Sequence, residues 1–183
     1  QDMRMRELSP GEQGYFLVQL RGPITEAMKA LVEATGAKLL DYVPNYAFLA
    51  RASTEQMTAV AGLGDVVWTG AWHPAYRVEP RLAALAQDPA TSTTSGRIVA
   101  VLFPDVPLAA AQAEIEAWGA VVVETSDFTG RWMLTLDATP QAALAIAHVM
   151  DVQWLEIAPN PGPRNNTTAW VIQTFVNGDT KVW

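Results

Sequence analysis

The chain has 183 residues, half of them hydrophobic and 17% charged, with a formal net charge of −7 at pH 7 and no cysteine. This composition is globular rather than disordered, and it excludes disulfides and thiolate metal sites. An acid excess with few bases lacks the electrostatic footprint of nucleic-acid and anionic-membrane binders, and no run of about 18 apolar residues is present to span a bilayer.

Residues 1–14 are polar, carry the breaker cluster Ser9-Pro10-Gly11, and read as an N-terminal tail. Tyr15 to Arg21 is a β-rich run ended by Gly22-Pro23. Thr25 caps a helix that sets Met28, Leu31 and Val32 on one face and closes at Gly36. Lys38 to Val43, the Pro44-Asn45 turn and Tyr46 to Ala52 form a hairpin. Ser53 and Gln56 have capping-box spacing and open a short helix through Val60 that stops at Gly62. Asp65 to Ala71 supplies a last strand, and from His73-Pro74 the chain runs out as an extended tail. Residues 81–96, ending in the small polar run Thr91 to Gly96, read as a linker.

The same order then returns. Arg97 to Phe103 is a strand, and a helix runs from Pro107 to Trp118 and closes at Gly119. Two strands follow, Ala120 to Thr125 and Arg131 to Asp137, then a helix from Thr139 to Met150 and a strand from Asp151 to Ala158. Ala34-Thr35-Gly36-Ala37 matches Ala117-Trp118-Gly119-Ala120, and Asp65-Val66-Val67-Trp68 matches Asp151-Val152-Gln153-Trp154. A recurrence of this kind marks duplication. The expected fold is α+β, two tandem ferredoxin-like βαββαβ open-faced sandwiches with antiparallel sheets, one over 15–80 and one over 97–160. The first unit is nearly neutral, with five basic residues against six acidic ones, and the second carries two against eight. Each unit has a bare sheet face that needs a partner.

Catalytic chemistry is sparse. Of the two histidines, His73 sits in a Trp-His-Pro-Ala-Tyr tail and His148 in an apolar helix, and both read as structural or solvated. Glu114 and Glu116 are two apart on a helix and so point to different faces, which suits solvated charge rather than an acid/base pair. The overlapping sequons at Asn165 and Asn166 carry glycan only in a eukaryotic secretory pathway. No nucleophile or phosphate-binding motif is present, so no enzyme activity and no cofactor or metal are expected of this chain. Core packing is expected of Trp68 and Trp154, whereas Trp72 and Trp132 are candidate anchors on an open sheet face. Pro159 to Pro163 is too proline-rich for helix or central strand and leads, extended, into a tail over 161–183. The start at Gln1 rather than Met suggests removal of a leader peptide or a trimmed N-terminus.

Tyr15-Phe16-Leu17-Val18-Gln19-Leu20, the helix ending in Gly36, the hairpin through Tyr46, and the closing Val66-Val67-Trp68 and Val152-Gln153-Trp154-Leu155-Glu156 resemble the propeptide of subtilisin-like serine proteases, in two copies covering most of the chain. Gly178 to Trp183 also looks like the approach to a subtilase catalytic domain. The resemblance implies a folding chaperone and product-like inhibitor of its own protease, secreted or periplasmic as part of a precursor. The partner is then the cognate protease catalytic domain, with no nucleic acid and no membrane. In that family the open sheet face lies on two enzyme helices, acidic residues near the last strand cap those helices, and the extended tail fills the substrate cleft. Glu156 matches the first capping acid, and the second position is Ala158, a departure. The corresponding positions of the first unit, Gly70 and Trp72, cannot cap, so the second unit is the expected inhibitory module. By tail length, processing falls near Arg164-Asn165, with Pro161, Gly162, Pro163 and Arg164 in the cleft. A tandem ferredoxin-like regulatory or ligand-binding protein, its sheets joined edge to edge around a small molecule, and an RNA-binding pair are the rival readings. The acid excess opposes RNA.

Overall fold

A computed structural model describes residues 6–104 and 106–159. The chain is α+β, with two four-stranded antiparallel sheets and, among the described residues, five α-helices. The first unit contains β1 (Gly14–Leu20), α1 (Glu26–Glu33), β2 (Lys38–Val43), β3 (Ala47–Ala52), α2 (Thr54–Ala61) and β4 (Val66–Ala71). A 3₁₀ turn, Pro74–Tyr76, and α3 (Pro80–Gln87) follow. The second unit contains β5 (Gly96–Leu102), α4 (Leu108–Glu116), β6 (Val121–Asp127), β7 (Trp132–Ala138), α5 (Pro140–Ile146) and β8 (Val152–Ile157).

The sheet orders are β2-β3-β1-β4 and β6-β7-β5-β8. The duplication extends to register: Gly14 pairs with Ala52 as Gly96 pairs with Ala138, and the ladder shifts between Gln19 and Leu20 as between Val101 and Leu102. Local chemistry explains the punctuation. Thr25 accepts from the Met28 amide, and Ser53 and Gln56 close a reciprocal capping box. Gly36 and Gly119 take φ of +90° and +84° just past α1 and α4, where a side chain would be strained. The β6–β7 hairpin turns through Thr129 and Gly130, both at positive φ.

Strand alternation divides each sheet into two faces. Phe16, Val18 and Leu20 of β1 pack with Val32, Met57 and Val60 under α1 and α2. Ile98, Ala100, Leu102, Leu134 and Leu136 pack with Ala111, Ile115 and Ile146 under α4 and α5. The segment expected to be a linker is different. Pro80 opens α3 at the first turn, and Leu82, 1% exposed, enters the core of the second unit. The stretch before it, expected as an extended tail, turns at Pro74–Tyr76 and then runs beside β8. The Leu155 amide donates to the Arg77 carbonyl at 2.6 Å, and the Glu79 amide to the Leu155 carbonyl at 2.8 Å. Val78 and Leu155 form a parallel bridge. The second unit is therefore completed by residues 77–87 of what precedes it.

Candidate functional site: an inter-unit seam and an open sheet face

The face of the first sheet that turns away from its helices is largely spoken for. Tyr15 and Leu49 lie on it, both buried, and with the half-buried Leu40, Val43 and Trp72 they pack into the core cluster of the second unit. Tyr15 stacks on Phe103 with ring centroids 3.4 Å apart and planes 8° from parallel. Trp72, expected on an open face, instead donates its indole N–H to the Gln153 carbonyl at 3.4 Å across the seam. Polar groups fix the register. Arg131 Nη2 meets both Asp41 oxygens at 2.9 and 3.0 Å, its Nη1 donates to Gln153 Oε1 at 2.7 Å, and Gln153 Nε2 donates to Asp41 Oδ2 at 3.1 Å. A partly buried three-member network of this kind is satisfied internally and selects one docking geometry.

Arg77, 3% exposed, is the centre of the seam. Its Nη1 donates to the carbonyls of Val149, Met150 and Val152 at 2.7, 3.2 and 3.0 Å, and its Nη2 to that of Trp72 at 3.1 Å. Val149 and Met150 lie beyond the α5 cap at Ala147, in the turn that leads into β8. A guanidinium from the first unit's tail thus ties down the α5–β8 turn of the second. Its burial pushes the Arg77 pKa down to about 10, and the charges of Tyr15 and Asp151 oppose the fall. The Tyr15 hydroxyl is buried near Asp151 without meeting a partner in hydrogen-bond geometry, and burial, reinforced by the Asp151 charge, pushes its pKa up to about 12. Burial likewise raises the Asp151 carboxyl, against the pull of Arg51 and Arg77.

A pH prediction follows. A tyrosine whose folded pKa lies above its unfolded value, ordinarily about 10, stabilises the fold fully below pH 10 and loses that contribution as pH rises through about 12. Tyr15→Phe, which leaves no buried hydroxyl to ionise, is expected to hold its stability over that window relative to the parent. Urea titrations at pH 9, 11 and 12 check it, and parallel losses in both proteins would refute it.

Beside Arg77 lies a cavity of about 230 Å³, lined by Tyr15, Pro74, Glu114, Trp118, His148 and Met150 among others. His148 sits here rather than in a constellation with a nucleophile, and His73 accepts from the Ala75 amide through Nδ1 at 3.1 Å, capping the 3₁₀ turn. Glu114 lines the cavity while Glu116 accepts from Gln112 Nε2 at 3.1 Å, so the two carboxylates do point apart. Among the described residues no group of three or more His, Asp or Glu side chains is placed to hold a metal ion.

The second sheet's face away from α4 and α5 is half-buried rather than packed into the seam. On it the buried Val99 lies between Thr135 and Glu156, and Val101 between Met133 and Trp154. Glu156 accepts from the Trp154 indole N–H at 3.0 Å and is half-buried, next to Ala158 and Pro159, where the described chain ends. Trp132 does not share this face. It alternates in phase with Leu134 and Leu136 and packs against the helix-side core, which corrects its expected place. The expected core role of the paired tryptophans is also corrected. Trp68 is 49% exposed, on the face away from α1 and α2, with its ring over Gly70, and Trp154 occupies the equivalent open face. The expected cleft residues Pro161, Gly162, Pro163 and Arg164 lie outside the described residues.

A family model described as a Domain of unknown function (DUF8729) matches residues 1–73, a stretch that ends two residues after β4 and so corresponds to the first unit with its N-terminal lead. Comparison with curated proteins gives no match.

Proposed function

We propose that the chain is a tandem of two ferredoxin-like units serving as the propeptide of a subtilisin-like serine protease, assisting its folding and occupying its active site as a product-like inhibitor. The observation that carries this reading is the inequality of the two sheet faces. The first sends Tyr15, Leu49 and Trp72 into the seam with the second unit and leaves Trp68 exposed, whereas the second carries the half-buried Val101, Met133 and Trp154 and the buried Val99 beside a carboxylate, at the end from which the chain leaves toward its proline-rich tail. An apolar sheet face with an acid at its rim suits a pair of helix N-termini, whose orphan amides donate to a carboxylate. An extended tail next to it suits strand addition in a substrate cleft. In this reading the first unit is a brace that buries its own face and completes the second.

The test is a progress curve of a mature subtilisin-like protease, from the same precursor, with the folded chain added in excess. Slow, saturable loss of activity is expected, and undiminished turnover at micromolar chain rules the reading out. Glu156→Ala is expected to weaken inhibition by up to about thirtyfold without changing the melting temperature, since a carboxylate at a helix N-terminus contributes about 0.3–2 kcal/mol. An unchanged inhibition constant would remove Glu156 from the interface.

The second reading, a ligand-binding or regulatory pair, has one observation in its favour, the cavity beside Arg77. That cavity is smaller than the roughly 300–1,000 Å³ of usual ligand sites, and the two sheets are separate rather than joined edge to edge.

A further inference from the structure

The cavity beside Arg77 joins buried walls to an exposed rim. Tyr15 and Arg77, each 3% exposed, line it together with the buried Pro74, and the exposed Arg6, Glu114 and Trp118 line it from the surface. Two of its buried residues carry polar atoms that the protein leaves unmet. The Tyr15 hydroxyl and Arg77 Nε have no hydrogen-bond partner among the described residues. Buried polar atoms of this kind are costly and few in folded proteins, so a cavity bordered by two of them is a place where something else is held.

Arg77 also lacks a counter-charge in contact. Its hydrogen bonds go to the carbonyls of Trp72, Val149, Met150 and Val152, and none goes to a carboxylate. Nη2, with two protons, meets one acceptor, and Nε–H meets none. Asp151 acts on the guanidinium only through space. A desolvated cation with donors to spare favours an anion, and a guanidinium recognises a carboxylate through paired N–H groups. The remaining groups limit the charge and size of that anion. Arg6 is already tied to Glu12, and Glu114 opposes a dianion such as phosphate. At about 230 Å³ the cavity is too small for a drug-sized ligand but larger than the roughly 150 Å³ that holds benzene in an apolar protein cavity. Pro74, Trp118 and Met150 supply apolar wall.

We propose that this cavity binds a small organic monocarboxylate, its carboxylate held by Arg77 and the Tyr15 hydroxyl and its apolar body against Pro74, Trp118 and Met150. Such a ligand touches the first unit at Tyr15, the connecting segment at Pro74 and Arg77, and the second unit at Trp118 and Met150, so it fastens the units to each other. The proposal does not rest on the protease reading and stands whether or not the chain inhibits a protease.

The test is isothermal titration calorimetry of the full chain with sodium benzoate at pH 7 and constant ionic strength, with the melting temperature followed in parallel. Saturable one-to-one binding with Kd below about 5 mM is expected. The melting temperature should climb with benzoate concentration above Kd, as it does for any ligand that binds only the folded state. Benzamide, which keeps the shape without the charge, and inorganic phosphate should each bind at least about tenfold more weakly. Tyr15→Phe keeps the ring on Phe103 and removes only the hydroxyl, and it should weaken benzoate at least about fivefold. Absence of saturation up to about 50 mM benzoate, equal affinity for benzamide or phosphate, or an unchanged dissociation constant in Tyr15→Phe would each overturn the proposal.

Discussion

Arg77→Ala is expected to lower the unfolding free energy by about 3–5 kcal/mol and the melting temperature by roughly 10 °C. Two effects add. The carbonyls of Val149, Met150, Val152 and Trp72 lose a charged donor while remaining in a seam closed by Tyr15 and Phe103, and each buried acceptor left unmade costs about 1–3 kcal/mol where water cannot replace the donor. The contact of the guanidinium with the Phe103 ring, its carbon 6.0 Å from the ring centroid, is also lost. Arg77→Lys separates the two: it restores a cation and most of the stem, but an ammonium cannot reproduce the guanidinium's fork, so a partial loss is expected. The parent should unfold in one transition, because Leu82, Tyr15 and Leu49 belong to the second unit's core. The alanine variant should broaden toward two, as the units lose the guanidinium that links Trp72 to the α5–β8 turn. Differential scanning calorimetry reads both quantities, and a loss below about 1 kcal/mol with a single sharp transition would show that the carbonyls find water instead.

The sequence placed the strands and helices of both units to within a few residues because their signals are local: capping residues at Thr25 and Ser53, glycines at Gly36 and Gly119, and strand alternation. The misses have physical causes. In α3, Pro80 at the first turn and Leu82, Leu85 and Ala86 at helical spacing were present, but the small polar run after them weighed the whole stretch toward linker. Trp132 shares the parity of Leu134 and Leu136, so its helix-side position was legible from period two alone. Trp68 and Trp154 share a strand position, and that equivalence said nothing about which face they take; register across the Gln19/Leu20 and Val101/Leu102 shifts decides it. Arg77, Asp41 and Gln153 left no trace that one sequence could show. Their roles arise from contacts 72 to 112 residues apart, made only when one unit docks on the other.

Removal of residues 160–183 is expected to leave both units folded while inhibition of the cognate protease falls by at least about 100-fold, or about 2.7 kcal/mol. The described core closes without them. β8 ends at Ile157, its outer edge is held by Val78 and Glu79, and the Ala158 amide already donates to the Arg97 carbonyl at 2.9 Å. The melting temperature should therefore shift little. Inhibition differs because, in the proposed complex, the sheet face supplies only position. The tail supplies the strand hydrogen bonds and the side chains that enter the cleft, and linking both to one scaffold makes the second contact intramolecular. The truncated chain should still bind, weakly, and should compete with the full chain for the protease surface without blocking cleavage of a small chromogenic peptide. A truncated chain that blocks that peptide as well as the parent would place the inhibitory contact on the sheet face around Trp154 and Glu156. A truncated chain that neither inhibits nor competes would move the docking surface away from that face altogether.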